Sequence, residues 1–173
     1  MSKRIFVAAG LLAVLGLGAT PAAAQGLVTP FIGAVFGGDV PASRATYGVS
    51  FVSNHGPIGA ELELGYTPTL YDVESTKAKL ATVMGNVLIG LPLGAFHPYA
   101  SAGLGLMRQR TSASPAALLN DITDNDFGYS LGGGAWAMVS SHVGVRADLR
   151  FFQVRKTDGF NFGRGYGGLV FKF

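Results

Sequence analysis

Residues 58–66, Ile-Gly-Ala-Glu-Leu-Glu-Leu-Gly-Tyr, alternate in side-chain character at every step. In an extended chain Ile58, Ala60, Leu62, Leu64 and Tyr66 share one face, and Gly59, Glu61, Glu63 and Gly65 share the other. A helix is excluded here, because a repeat of two would scatter the apolar groups around a cylinder of ~3.6 residues per turn. Residues 143–151 repeat the arrangement. Val143, Val145, Ala147, Leu149 and Phe151 oppose Gly144, Arg146, Asp148 and Arg150. A chain marked by such segments must bury one face of each strand and satisfy every strand edge.

Eight segments read as strands: 27–36, 44–53, 58–67, 79–91, 97–108, 126–139, 143–154 and 163–173. Most approach the ~9–11 residues with which a tilted strand crosses a bilayer. The connections alternate in length. Asn54-His55-Gly56-Pro57, Pro92 to Phe96 and Ser140-Ser141-His142 are tight turns. Segments 37–43, 68–78, 109–125 and 155–162 are mostly longer and more polar. Short turns at one end and long loops at the other are the habit of a transmembrane barrel, with the long loops external. Leu80 to Met107 carries no Asp, Glu, Lys or Arg and invites reading as a membrane helix. Pro92, Pro98, five glycines and Asn86 break it, and a strand–turn–strand pair accounts for them better.

Charged residues are 13% of the chain, against ~25% in an ordinary soluble domain. A soluble barrel of lipocalin type needs a polar exterior around an apolar cavity. The polar residues here would hardly cover a cylinder, whereas they suffice to fill a narrow interior. The inward face then carries Glu61, Glu63, Arg146, Asp148, Arg150, Arg164 and Lys172. Charges removed from water must be paired, so the sequence predicts a salt-bridged lumen. The alternative is a narrow polar path for ions.

Residues 1–24 have the layout of a cleavable signal peptide. Lys3 and Arg4 precede an apolar run from Ile5 to Ala19, and Ala22-Ala23-Ala24 places the cut before Gln25. A retained membrane helix fits less well, since the run is short and Pro21 follows it. Residues 25–173 then form a single barrel domain. Without Lys3 and Arg4, 11 basic residues face 10 acidic ones, and no basic cluster points to nucleic acid. The chain has no cysteine, which excludes disulfides, thiolate metal sites and cysteine nucleophiles.

The chain closes on Tyr166-Gly167-Gly168-Leu169-Val170-Phe171-Lys172-Phe173. The order Tyr-x-Gly-x-x-Phe-x-Phe resembles the C-terminal signal that the barrel-assembly machinery of the bacterial outer membrane reads. Tyr166, Gly168, Phe171 and Phe173 carry that resemblance. Together with the strand pattern, the whole mature chain resembles the small outer-membrane β-barrels of OmpA and OmpX type, members of the porin family. The resemblance implies an all-β fold: an eight-stranded antiparallel up-and-down transmembrane barrel in the outer membrane of a diderm bacterium, partnered by lipid. The chain departs from full-length OmpA in ending at the last strand, so no peptidoglycan-binding domain is expected, and no residue pattern calls for a cofactor.

Catalytic signals are weak. His55, His97 and His142 all fall at or beside the short turns. Barrel enzymes that modify lipid A resemble this chain in size, but they use a His with a Ser and an acid at the outer-leaflet side. One His per turn is no metal site. Asp124-x-Asp126 resembles part of a calcium loop, but Ala135 stands where the bidentate Glu is required. Gly132-Gly133-Gly134 and Gly103-x-Gly105 lack the strand-to-helix setting of a phosphate loop. Segment 109–125 is the chief external feature. Ser114-Pro115 is placed to start a short helix, and Leu118 and Leu119 could form a contact patch for a surface partner. Tyr47, Tyr66, Phe127 and Tyr129 at the outer ends, with Phe51, Phe96, Tyr99, Phe171 and Phe173 at the inner ends, suggest two interfacial aromatic girdles.

Overall fold

The computed structural model describes residues 25–40, 42–73, 76–113, 122–155 and 159–173. Eight strands follow one another: β1 (Gln25–Phe36), β2 (Arg44–His55), β3 (Ile58–Val73), β4 (Thr76–Gly90), β5 (Phe96–Ala113), β6 (Ile122–Met138), β7 (Val143–Val154) and β8 (Asn161–Lys172). Each pairs antiparallel with the next, and β8 returns to β1, which closes the barrel. Closure leaves no strand with an unpaired edge. The β1–β8 ladder runs from Leu27↔Lys172 to Phe36↔Gly163 and skips Thr29 and Pro30, the latter lacking an N–H to donate. Phe173 continues the seam past β8, its N–H and C=O both bonding Gly26.

Alternation decides what each side chain meets. Along β7 every odd residue from Val143 is exposed and every even residue is buried. Leu149 is 45% exposed, while its neighbour Arg150 is fully buried. The exterior is a band of Ile32, Val83, Val87, Leu104, Leu106, Leu131, Val145, Leu149, Phe151 and Leu169. Glu61 and Glu63 of β3 and Arg146, Asp148 and Arg150 of β7 are buried inward, so at mid-height the barrel is apolar outside and ionic within.

The first short turn is tighter than the sequence suggests. β2 and β3 join through Gly56-Pro57 alone, with Gly56 at φ +60°, the positive φ that a two-residue hairpin asks of its first central residue. At the opposite end the strands run further than expected. Residues 68–73 and 76–78, read as loop, are strand, with a register shift between Thr67 and Tyr71. Residues 109–113 and 122–125 are likewise strand, paired from Arg108↔Asn125 to Thr111↔Ile122. Asp124 and Asp126 therefore lie on β6 and not in a cation-binding loop. Ser114-Pro115, Leu118 and Leu119 lie outside the described residues, as does segment 1–24.

Because Leu149 faces outward in mid-strand, Leu149→Arg is expected to cost about 2–4 kcal/mol of folding stability in bilayers. Reversible denaturant unfolding from lipid vesicles measures it.

Candidate functional site

The barrel interior gathers charges of both signs. β3 and β7 stand four strands apart in the ring of eight, on opposite walls. Glu61 and Glu63 extend from β3; Arg146, Asp148 and Arg150 extend from β7; Arg164 comes from β8. All six are buried. Three carboxylates thus meet three guanidiniums across the full width of the lumen.

Arg150 is the hub. Its Nη2 lies 2.7 Å from Glu61 Oε2, its Nη1 3.1 Å from Glu63 Oε2, and its Nε 2.8 Å from Asp148 Oδ1. Arg146 Nη2 bridges Glu61 Oε1 at 2.7 Å and Asp148 Oδ2 at 2.9 Å. Arg164 pairs with Glu63 through Nη2 and donates from Nη1 to Thr82 Oγ1 at 3.1 Å. Neutral groups complete the lattice. Ser50 Oγ donates to Glu61 at 2.6 Å, Asn86 Nδ2 donates to its other oxygen at 2.9 Å, and Ser130 donates to Asn86 at 3.2 Å. Tyr99 donates to Asp148 and accepts from Arg146 Nε at 2.6 Å. Tyr166 donates to Glu63 Oε2 at 3.0 Å and stacks on Phe31, with ring centroids 4.1 Å apart. The guanidinium of Arg164 also lies over the Phe152 ring, 4.4 Å from its centroid.

Gly65 shows what the lattice demands of its neighbours. A Cβ there would run into the Arg164 guanidinium and Thr82 Oγ1, so only glycine leaves room for the pair.

Apolar layers close the lumen on both sides of the charges. At the loop end Val35, Val40, Leu70, Leu80, Met84, Met107, Phe152, Val154 and Phe162 form one buried cluster, with Phe152 and Phe162 stacked at 4.8 Å. At the turn end Leu27, Val52, Leu88, Tyr99, Trp136 and Val170 form another, flanked by Met138.

The remaining predicted residues are placed as follows. Lys172 sits apart from the six, partly buried at the turn end beside Leu27, Asn54, His97 and Trp136. Phe171 and Phe173 face outward, whereas Tyr166 and Gly168 have the inward parity. Tyr99 is not a girdle residue: it is 6% exposed and bonded to Asp148 within. His97 is not interfacial either. It is buried and stacked flat on Trp136, centroids 4.2 Å apart. His55 and His142 are exposed at the turns. Sequence reasoning missed Ser50, Asn86, Tyr99 and Tyr166 as lattice members. Their inward parity with the charged residues was the available signal. Among the described residues no group of three His, Cys, Asp or Glu side chains is placed to hold a metal ion.

Removing one member of a buried ionic lattice strands its partners. Arg150→Met is expected to destabilise the barrel by about 3–5 kcal/mol, because three carboxylates lose their shared cation. Adding Asp148→Asn should recover part of that loss. Unfolding midpoints in detergent or vesicles report both.

Comparison with known proteins agrees with the geometry. The family described as outer membrane protein beta-barrel domain matches residues 9–173. None of the curated proteins compared with the chain matches it. Among solved structures, Neisserial surface protein A aligns with a TM-score of 0.70 at 17% identity, covering 86% of this chain and 97% of that one. The N-terminal β-barrel domain of Pseudomonas aeruginosa OprF aligns at 0.62 and 19% identity, with the same coverage of 86% and 97%. Ail, the attachment invasion locus protein of Yersinia pestis, aligns at 0.59 and 9% identity, covering 87% and 99%; it has also been solved with the heparin analogue sucrose octasulfate. The chain belongs to the outer-membrane β-barrel family, and its place is the bacterial outer membrane.

Proposed function

We propose that this barrel neither catalyses nor conducts, and that it supports envelope integrity and meets surface partners through its loop end. One observation carries the reading: the lumen is filled in three successive layers, apolar, ionic and aromatic-apolar. A path for ions would have to part Arg150 from three carboxylates and then pass a stacked Phe152–Phe162 pair. What remains for contact with other molecules is the outside of the barrel and the loop end. A surface protein and an attachment protein among the structural neighbours lean the same way.

The remaining assignments belong to this reading. Segment 1–24 serves as the export leader and is removed before Gln25. The long loops face the cell exterior, so segment 109–125 is the contact surface. Tyr166, Gly168, Phe171 and Phe173 serve assembly, with the two phenylalanines presented to the machinery on the outer wall. Catalysis is disfavoured because Glu61, Glu63 and Asp148 are all held by guanidiniums. The Ser141–His142 contact of 2.8 Å is exposed and sits in a turn at the end opposite the long loops.

Planar bilayers separate the sealed barrel from a pore. The wild-type protein is expected to give no reproducible conductance steps, and steady steps in the wild type would establish the pore instead. Lipid A from cells overexpressing the protein is expected to have unchanged mass; a new acylation or deacylation product would establish an enzyme.

A further inference from the structure

Three cations stand together on the outer wall near the loop end. Lys79 of β4 and Arg108 and Arg110 of β5 line a cleft of about 230 Å³ with Tyr66 and Ala81. All three are exposed and have the outward parity: Lys79 lies between buried Ala78 and Leu80, and Arg108 follows buried Met107. Register gathers them. Lys79 pairs with Arg110, Arg108 pairs with Ala81, and Ala81 pairs on its other side with Tyr66. Directly opposed side chains of an antiparallel pair have Cβ atoms ~4.5–5.5 Å apart, and like charges so placed repel. None of the three makes an ion pair among the described residues. Among the described residues no carboxylate offsets that repulsion, and an anion with several oxygens would relieve it.

The height of the cleft says which anion. One outward row nearer the turn end, Leu64, Val83, Leu106 and Phe127 are register partners and all are exposed and apolar. The next row is Tyr66, Ala81, Arg108 and Asn125, and Lys79 and Arg110 follow. The wall passes from purely apolar to aromatic and cationic within two rows. Aromatic rings mark the headgroup level of a bilayer. The cations begin at the same level, on the side that faces lipid and not the lumen.

We propose that Lys79, Arg108 and Arg110 bind the phosphate of an outer-leaflet glycolipid. The guanidiniums of Arg108 and Arg110 supply forked donors suited to phosphate oxygens, and Lys79 adds a compact charge. The lipid's acyl chains would then lie along Leu64, Val83 and Leu106 below.

The test uses the full chain extracted from outer membranes and placed in phosphatidylcholine nanodiscs. These are doped with lipid A bearing both phosphates or with dephosphorylated lipid A, and retained lipid is counted by native mass spectrometry. The wild type is expected to retain the phosphorylated form. K79Q/R108Q/R110Q is expected to lose about fivefold per charge, roughly 100-fold in all. The charge-preserving K79R/R110K variant should retain it. Dephosphorylated lipid A should be held equally weakly by wild type and triple variant. Equal retention of the two lipids, or no loss in the triple variant, overturns the proposal. If soluble pyrophosphate binds the wild type as tightly as phosphorylated lipid A, the cleft serves free anions and the lipid assignment falls. Gel mobility before and after boiling reports folding of each variant. Should the triple variant not fold, R108Q alone reads the same fivefold step.

Discussion

In the hydrocarbon of a bilayer no water is available to bond a backbone amide, so every N–H and C=O must find its partner within the protein. The pairing of β8 with β1 meets this demand, and the other features of the barrel follow from it. Closure makes each strand antiparallel to both neighbours. Strict alternation then sends half of every strand to lipid and half to a narrow interior. Once the ring is shut, a charged residue of inward parity has nowhere to go but the lumen, and its compensation must come from another strand.

The compensation crosses the ring. Glu61 and Glu63 on β3 face Arg146 and Arg150 on β7, and Arg164 on β8 adds the third cation. Equal numbers of opposite charges make the six jointly tolerable. Each is costly alone: desolvation of an ion is offset only when its geometry and hydrogen bonds are nearly complete. Ser50, Thr82, Asn86, Tyr99 and Tyr166 supply the bonds that the ions cannot make to one another. The lattice is therefore less a store of stability than a statement of register. A slip of one residue in β3 or β7 would turn its charges into lipid.

Much of this was legible in the residues. The faces of β3 and β7, the closing strand and the inward charges follow from a period of two. Phe96 and Tyr99 illustrate what was overlooked. They stand three apart in one strand and so cannot share a face, yet proximity to a turn suggested a common girdle. The same parity places His97 beside Tyr99 inside the barrel. The ends of β3 to β6 were harder to see. Beyond Tyr66 and Leu106 the outward residues are no longer apolar, since the wall there has risen past the hydrocarbon level, and the polarity resembles that of a loop. Pairing there rests on backbone ladders, which leave little trace in composition. The contact lattice around Glu61 and Glu63 was likewise hidden, because which arginine meets which carboxylate depends on register and on the opposition of walls.

The overlong hairpins have an architectural meaning. Residues 109–113 and 122–125 continue the β5–β6 ladder past the cationic rim, and β3–β4 does the same alongside it. At ~3.4 Å per residue, five more residues carry the strand about 17 Å further along its own direction. Two joined hairpins of this kind are a stiff pedestal rather than a tether. The ends of the described ladder, Ala113 and Ile122, are thereby held at a set height and bearing beyond the cationic rim.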